Sequence, residues 1–149
     1  MLIREMIEEK AGLIPVYLNN GNVYVRVMIP SDPAYGGSSP QMSKGTIEKG
    51  ESPITGAIRE AEEELGLIAS NITDIRLVSK EIIPGIEQFV MPVYSGLIKD
   101  PDLWGEPHYE TGSTFWLNLT TDFDKVRRIQ QSVFKHVLQY YSKLAKDSN

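Results

Sequence analysis

The chain has 149 residues, 41% of them hydrophobic, and a formal net charge of −5. This length and hydrophobic content suit one compact domain, so we expect a single domain over residues 1–149. The chain has no cysteine and only two histidines, His108 and His136. This composition excludes disulfides, a thiolate nucleophile and a cysteine-based zinc site, and it leaves oxygen atoms as the ligands for any metal.

The apolar residues occur in short runs. None reaches the roughly 18 residues that a membrane-spanning helix needs. The N-terminal stretch MLIREMIEEK carries charges where a signal peptide needs its apolar segment. We therefore expect a cytoplasmic protein that does not enter the membrane.

The first third of the chain predicts a β-hairpin and a long loop. Two runs rich in β-branched and aromatic residues, AGLIPVYL and NVYVRVMI, are joined by Asn19, Asn20 and Gly21, which is typical of a tight hairpin turn. The stretch 30–40, PSDPAYGGSSP, is rich in proline, glycine and serine. Its composition predicts a loop within the domain.

The next segment predicts a helix over about residues 53–65. Ser52 is a suitable N-cap, Pro53 suits the first helical position, and Gly66 suits the end of the helix. Apolar residues recur at steps of three and four, which gives one face that must pack against the rest of the fold. These residues are Ile54, Ala57, Ile58, Ala61 and Leu65.

Three glutamates share another ridge of this helix. At about 100° per residue, Glu63 and Glu64 lie within roughly 60° of Glu60, one on either side. The helix contains no lysine after Glu60 to balance them, and a further carboxylate, Glu51, stands just before the helix. An ordinary acidic helix surface is the alternative, but this pattern favours a site for Mg²⁺ or Mn²⁺, which prefer oxygen ligands.

The remainder of the chain predicts further strands and a C-terminal helix. The runs IRLVSKEII, IEQFVMPVYSGLI and STFWLNL are strand-like. Residues 123–145 have helical apolar spacing, with Thr121 or Asp122 as the cap. This order of elements predicts an α/β fold, in which helices cover both faces of a mixed sheet. The expected core positions of the last helix are Val126, Ile129, Val133, Val137, Tyr140 and Leu144.

The C-terminal segment is basic. Residues 124–146 carry six lysines and arginines against Asp124 alone, a net charge of 6 − 1 = +5. Such a segment can bind a polyanion or can simply present a solvated face, and both interpretations stay open.

The acidic helix and the residues before it match a known signature. The stretch from Gly45 to Leu67 fits G-x5-E-x7-R-E-U-x-E-E-x-G-U at every position, where U is apolar. The chain therefore resembles the Nudix hydrolases. The resemblance implies an α/β/α sandwich and Mg²⁺-dependent hydrolysis of a pyrophosphate bond in a nucleoside diphosphate linked to another group.

The resemblance also implies roles for individual residues. Glu60, Glu63 and Glu64 match the metal ligands, Glu51 matches a residue that often completes the site, and Arg59 matches the orienting arginine. Lys44 or Gly45 would supply a backbone carbonyl. The expected catalytic residues are Glu63, Glu60, Arg59 and Glu110. The expected metal ligands are Glu60, Glu63, Glu64, Glu51 and Gly45. The expected substrate contacts are Lys44, Tyr35 and Tyr109.

Two features outside the signature stay open. Glu110 stands in a loop where many family members carry the general base, but it is equally consistent with a plain loop acid. Tyr35, Trp104 and Tyr109 fall in expected loops and are consistent with stacking on a nucleobase or with loop packing.

The sequence ahead of the acidic helix bears on the substrate. The stretch PQMSKGTIEKGE is similar to the approach to the signature in dinucleoside polyphosphate hydrolases, although Ser43 and Thr46 depart from that pattern. Dinucleoside polyphosphates or ADP-ribose-like compounds are the expected substrates, with damaged nucleoside triphosphates as the alternative. A non-catalytic module that binds nucleotide or RNA is a third interpretation. We expect a small-molecule nucleotide partner and no nucleic acid, and leave a monomer and a homodimer both open.

Overall fold

The computed structural model describes residues 9–82, 90–108 and 110–147. The predicted hairpin is present, with β1 at Lys10–Asn19 and β2 at Asn22–Pro30. Its turn residues Asn20 and Gly21 have φ angles of 51° and 77°. Positive φ at both central positions is what the favoured two-residue hairpin turn requires, which explains the choice of asparagine and glycine.

The other elements follow in chain order. The predicted strands are confirmed within the described ranges, and one additional strand, β3, was not predicted. Residues 83 and 86–89, which the predicted strands included, lie outside the described residues. The elements are β3 Ser43–Thr46, α1 Pro53–Leu65, β4 Ile72–Ile82, β5 Val90–Ile98, β6 Thr111–Asn118, α2 Leu119–Asp122 and α3 Gln131–Asp147.

The strands form one mixed sheet in the order β4-β5-β1-β2-β6. β1 and β5 are parallel, and the other pairs are antiparallel. The first half of β1 pairs with β3 and the second half with β2. Pro15 lies between the two halves, outside the registers with β3 and β2, and opposite Gly96 of β5 on the other edge of the strand.

Each face of the sheet carries a buried core. Ile14 and Val16 of β1 belong to the cluster that includes Phe134 of α3. Leu13 belongs to a second cluster that includes Ala57 of α1. Because successive residues of a strand point to opposite faces, α1 and α3 cover opposite faces of the sheet. The predicted α/β/α sandwich is confirmed.

The predicted boundaries of α1 are confirmed. The Ser52 side chain accepts a hydrogen bond from the Thr55 N–H, Pro53 occupies the first turn, and Gly66 ends the helix in the left-handed conformation with φ of 74°. These signals are local, so the sequence alone was sufficient to place the helix.

The C-terminal helix starts later than predicted. α3 begins at Gln131, and residues 119–130 form the short helix α2 and two 3-10 turns instead. Val126 is buried and extended, with ψ of 153°, and the Arg127 N–H donates to the Pro40 carbonyl at 2.7 Å. These tertiary contacts override the helical spacing. Because α3 starts at Gln131, Thr121 and Asp122 do not cap it, and the cap in this region is Asn118 at the start of α2.

The predicted apolar face of α3 is confirmed at Val133 and Val137, which are buried, and differs at its other positions. Ile129, Tyr140 and Leu144 are exposed. The helix packs on the core through a ridge rotated from the predicted one. The buried residues of this ridge are Val133, Phe134, Val137, Tyr141 and Ala145. None of the helices in the described part of the chain has the length and apolar character needed to span a bilayer.

Candidate active site

Arg59 lies at the centre of the signature residues on α1. Its Nε donates to Glu51 Oε2 at 2.9 Å, and its Nη2 donates to Glu51 Oε1 at 3.1 Å. This two-pronged pair is the strong form of an arginine–carboxylate contact. Hydrogen bonding to Arg59 lowers the pKa of Glu51, and the same contact raises the pKa of Arg59. Both groups therefore stay ionised.

The same guanidinium reaches two glutamates of the helix. Arg59 Nη1 donates to Glu60 Oε1 at 3.1 Å and to Glu63 Oε1 at 3.3 Å. Its Nη2 also donates to the Thr46 carbonyl at 2.8 Å. The arginine therefore ties three carboxylates to the end of β3.

Gly45 allows the helix to approach β3 closely. A Cβ atom at this position would overlap the carboxylate of Glu60. The side chain of Glu60 is only 15% exposed, and burial raises its pKa. The glycine of the signature thus makes room for a buried carboxylate, which is a physical reason for its presence.

Glu64 contacts the outer edge of the same strand. Its Oε1 accepts a hydrogen bond from the Lys44 backbone N–H at 2.8 Å. Burial raises the pKa of Glu64 to about 7, against the opposing effect of that hydrogen bond. Since α1 and β3 hold Glu60 and Glu64 in a partly dehydrated cleft, both carboxylates would gain from a nearby cation.

The carboxylates of Glu60, Glu63 and Glu64 do not meet at one point. In residues 9–82, 90–108 and 110–147, no three His, Asp or Glu side chains are grouped closely enough to hold a metal ion as they stand. The physical reason is that Arg59 is the cation nearest to Glu60 and Glu63, while Glu64 turns to a backbone donor.

The residues nevertheless fit a hard divalent cation in kind. Glu51, Glu60, Glu63 and Glu64 supply only carboxylate oxygens, the ligands that Mg²⁺ and Mn²⁺ prefer. The guanidinium of Arg59 already lies between Glu60 and Glu63, so positive charge is accommodated at this position. A metal ion would take the place of the Arg59 guanidinium, which is also a positive charge in contact with carboxylate oxygens.

The loop before β6 holds the last turn of α1. The His108 N–H donates to the Glu63 carbonyl at 2.6 Å, and Thr111 Oγ1 donates to the Glu64 carbonyl at 2.9 Å. Carbonyls at the end of a helix lack partners within the helix, so these bonds replace missing ones. They also fix the backbone of two candidate ligands. Sequence reasoning missed this role of Thr111, because nothing local links residue 111 to the helix.

Of the candidate residues outside the helix, the structure places the Glu110 side chain but not those of Tyr35 and Tyr109. Glu110 is exposed, and its backbone carbonyl accepts from the Ser31 N–H at 2.9 Å. It lies next to Thr111 and therefore close to the end of α1. Tyr35 ends a 3-10 turn at Pro33–Tyr35, but its side chain lies outside the described part of the structure. Tyr109 also lies outside the described residues.

Trp104 packs within the protein. The guanidinium of Arg26 lies 4.4 Å from the centre of the Trp104 ring, and the Trp116 ring meets Trp104 edge-on at 5.6 Å. The indole N–H groups of both tryptophans donate to the Pro101 carbonyl at 2.8 and 2.9 Å. These contacts favour the loop-packing interpretation of Trp104.

Comparison with solved structures shows the fold. An Ap4A hydrolase from C. elegans, in a binary complex, aligns with a TM-score of 0.68 and 18% identity over 92% of this chain and 99% of that one. The Nudix hydrolase RenU from M. smegmatis aligns with a TM-score of 0.71 and 15% identity over 93% and 88%. The Nudix domain of NrtR from Shewanella oneidensis, complexed with ADP ribose, aligns with a TM-score of 0.71 and 10% identity over 94% and 93%.

Sequence comparison identifies the family. A search of curated proteins gives no significant match. The family model described as the NUDIX domain matches residues 6–121, a range that includes the complete signature at 45–67. Because this match covers most of the chain, the protein belongs to the Nudix family of pyrophosphohydrolases.

Proposed function

We propose that the protein hydrolyses the pyrophosphate bond of a nucleoside diphosphate linked to another group, with Mg²⁺ as the cofactor and Mn²⁺ as a substitute. The observation that carries this proposal is the carboxylate ridge on α1, which is crowded around Arg59 and partly dehydrated. Four carboxylates in one cleft would repel a phosphate chain unless cations neutralised them. The cofactor therefore follows from the charge of the site as well as from the family.

Glu51, Glu60, Glu63 and Glu64 would hold the metal, with a backbone carbonyl at Gly45 as an additional ligand. When bound, Mg²⁺ would neutralise phosphate charge and lower the pKa of the attacking water. Within the chain itself, α1 presents the carboxylates and the Gly45 position leaves room for them.

Arg59 orients the acidic groups. It fixes Glu51 through two hydrogen bonds and holds Glu60 through a third. Water would attack one phosphorus of the P–O–P bridge, and the other phosphate would leave. Glu110, Glu60 or Glu63 would accept the proton of that water, and we favour Glu110 because its loop contacts the end of α1.

Dinucleoside polyphosphates and ADP-ribose-like compounds are the favoured substrates. Two of the structural neighbours carry support for this choice, since one is an Ap4A hydrolase and another binds ADP ribose. Because their identities are low, this support concerns the kind of ligand that the fold accepts. All glutamates of the signature are retained, which argues against a purely binding role.

A nucleotide screen tests the proposal. The protein is incubated with diadenosine tetraphosphate, ADP-ribose and nucleoside triphosphates, each with Mg²⁺, with Mn²⁺ or with EDTA, and the products are identified by mass. We expect cleavage of a P–O–P bond in the metal-supplemented samples and none in EDTA. The absence of turnover on every compound would contradict the proposal and favour a binding module.

A further inference from the structure

A cavity of about 160 Å³ lies between α3 and the strands β4 and β5. In the sheet, Ser95 of β5 is opposite Arg76 of β4 and Ile14 of β1. Residues opposite each other in a sheet share a face. Because Ile14 belongs to the buried cluster that contains Phe134 of α3, the cavity lies on the α3 face. The sheet therefore separates it from the carboxylate ridge on α1.

Two buried hydroxyl groups line the cavity. Ser95 Oγ and the Tyr141 hydroxyl oxygen are 2.8 Å apart and are joined by one hydrogen bond. Each hydroxyl carries one proton, so the group that accepts this bond still has an O–H to donate. Within the described residues, that O–H meets no acceptor. The two residues are 0% and 2% exposed, and a buried donor without an acceptor costs stability, which an acceptor entering the cavity would restore.

The guanidinium of Arg76 gives the cavity a positive charge. Its central carbon lies 3.6 Å from the centre of the Tyr140 ring. A cation on an aromatic face interacts with the π-electrons, so the N–H groups of the guanidinium keep their capacity to donate. In the part of the chain that the structure describes, this guanidinium forms no ion pair and no hydrogen bond, and Asp74, two residues earlier, does not pair with it.

His136 of α3 completes the polar lining of the cavity. It is exposed and lies one helical turn before Tyr140. A neutral imidazole donates through one ring N–H, and a protonated one donates through both. The cavity thus combines a guanidinium, an imidazole and a buried hydroxyl pair, and no carboxylate occurs among its described lining residues.

The size and the lining together indicate a small anion. A volume of about 160 Å³ is below the roughly 300 to 1,000 Å³ of pockets that enclose a drug-sized ligand, so a whole nucleotide does not fit. A water molecule would accept from the spare O–H but would leave the charge of Arg76 unmatched. We propose that the cavity binds a small oxyanion, inorganic phosphate or a carboxylate, which accepts hydrogen bonds from Arg76, His136 and the buried hydroxyl pair.

Titration of the isotope-labelled protein with inorganic phosphate in EDTA tests the site. Amide chemical shifts in the NMR spectrum report binding residue by residue, so an anion bound elsewhere on the protein is distinguished. We expect saturable shifts at Arg76, Ser95 and Val137, all of which line the cavity, and none with sodium chloride at equal ionic strength. The absence of saturable shifts at these residues, or equal shifts with chloride, would overturn the proposal.

Arg76→Gln tests the role of the positive charge. Arg128→Gln is the matched control, because Arg128 is also exposed and does not line the cavity. With affinity measured from the shift at Val137, we expect at least about a tenfold loss for Arg76→Gln and less than about a twofold change for Arg128→Gln. Equal losses in both variants would show that only the overall charge matters and would overturn the site.

A double variant, Ser95→Ala with Tyr141→Phe, tests the buried hydroxyl pair. Both partners of the hydrogen bond are replaced by apolar groups of similar shape, so the fold should be retained. A single replacement would leave the other hydroxyl free to donate. We expect the affinity for the anion, again measured at Val137, to fall at least about fivefold. Unchanged affinity would show that the anion does not enter the cavity and would contradict the proposal.

Acetate distinguishes the two sources of the oxyanion. Tighter binding of phosphate than of acetate would assign the site to phosphate groups, and the reverse order would assign it to carboxylates. Failure of both to bind saturably would overturn the proposal. The site does not depend on the proposed function, so these titrations decide its existence even if the protein hydrolyses no nucleotide.

Discussion

Neighbouring glutamates of α1 occupy different environments, although they look alike in the sequence. Glu62 is exposed, whereas Glu64 is partly buried and its pKa is raised to about 7. Helical geometry turns one away from β3 and the other towards it. At the scale of single residues, position on the helix therefore decides which carboxylates face β3.

Glu64→Gln tests this difference. We expect the variant to fold normally and to lose at least about a hundredfold in turnover, because the amide removes an anionic oxygen from the candidate metal site. Glu62→Gln is the matched control and should remain within about twofold of the wild type. Steady-state kinetics at saturating Mg²⁺ measure both. Near-normal turnover in Glu64→Gln would show that the ligand assignment is wrong.

Glu110→Gln tests the proposed base. Since Glu110 is not proposed as a metal ligand, the variant should lower kcat strongly while leaving the Mg²⁺ concentration for half-maximal rate unchanged. Glu106, exposed in the same loop, provides the control variant Glu106→Gln. Activity of Glu110→Gln within about threefold of the wild type would return the base to Glu60 or Glu63.

At the scale of elements, the loop before β6 and the helix α1 act as one unit. The hydroxyl of Thr111 holds the Glu64 carbonyl, and the His108 N–H holds the Glu63 carbonyl. The candidate ligands are thus positioned by a segment more than forty residues away in the chain. Their geometry depends on this contact as well as on the helix itself.

Thr111→Val removes the hydroxyl while preserving the shape of the side chain. Losing one such hydrogen bond costs about 1 kcal/mol, so the Mg²⁺ concentration for half-maximal rate should rise by roughly fivefold. Thr111→Ser keeps the donor and should restore the wild-type value. A Mg²⁺ titration at saturating substrate gives the result, and an unchanged midpoint in Thr111→Val would remove the positioning role.

The two long helices, α1 and α3, show which features of an element the sequence can predict. α1 was predicted at its observed boundaries because Ser52, Pro53 and Gly66 act locally. The start of α3 was missed because Val126 is buried by distant residues and the Arg127 N–H bonds to Pro40. For the candidate site, the signature predicted which residues to consider. The partners that Arg59 takes depend on how α1 packs against β3, which spacing does not reveal.

For the whole molecule, the acidic and basic groups lie on either side of β3. The carboxylates lie with α1, whereas Lys10 and Lys44 lie on the face of β1 and β3 that carries α3. The net charge of −5 conceals this division. A metal ion would neutralise the acidic side, so the folded state should be sensitive to metal binding.

Metal binding should therefore stabilise the fold. Mg²⁺ or Mn²⁺ at millimolar concentration should raise the melting temperature above its value in EDTA, because the ion binds the folded ridge and relieves repulsion among its carboxylates. The effect should be much smaller in Glu64→Gln. A melting temperature that does not respond to either metal would argue against the site.

The central claim is that the ridge on α1 supports metal-dependent attack of water on phosphorus. The most direct measurement is hydrolysis of diadenosine tetraphosphate or ADP-ribose in water enriched in the heavy oxygen isotope, with Mg²⁺ or with EDTA, followed by mass analysis of the products. We predict that with Mg²⁺ one phosphate-containing product gains a single heavy oxygen, and that no product forms in EDTA. Equal hydrolysis in EDTA, or products formed without cleavage of a P–O–P bond, would contradict the account.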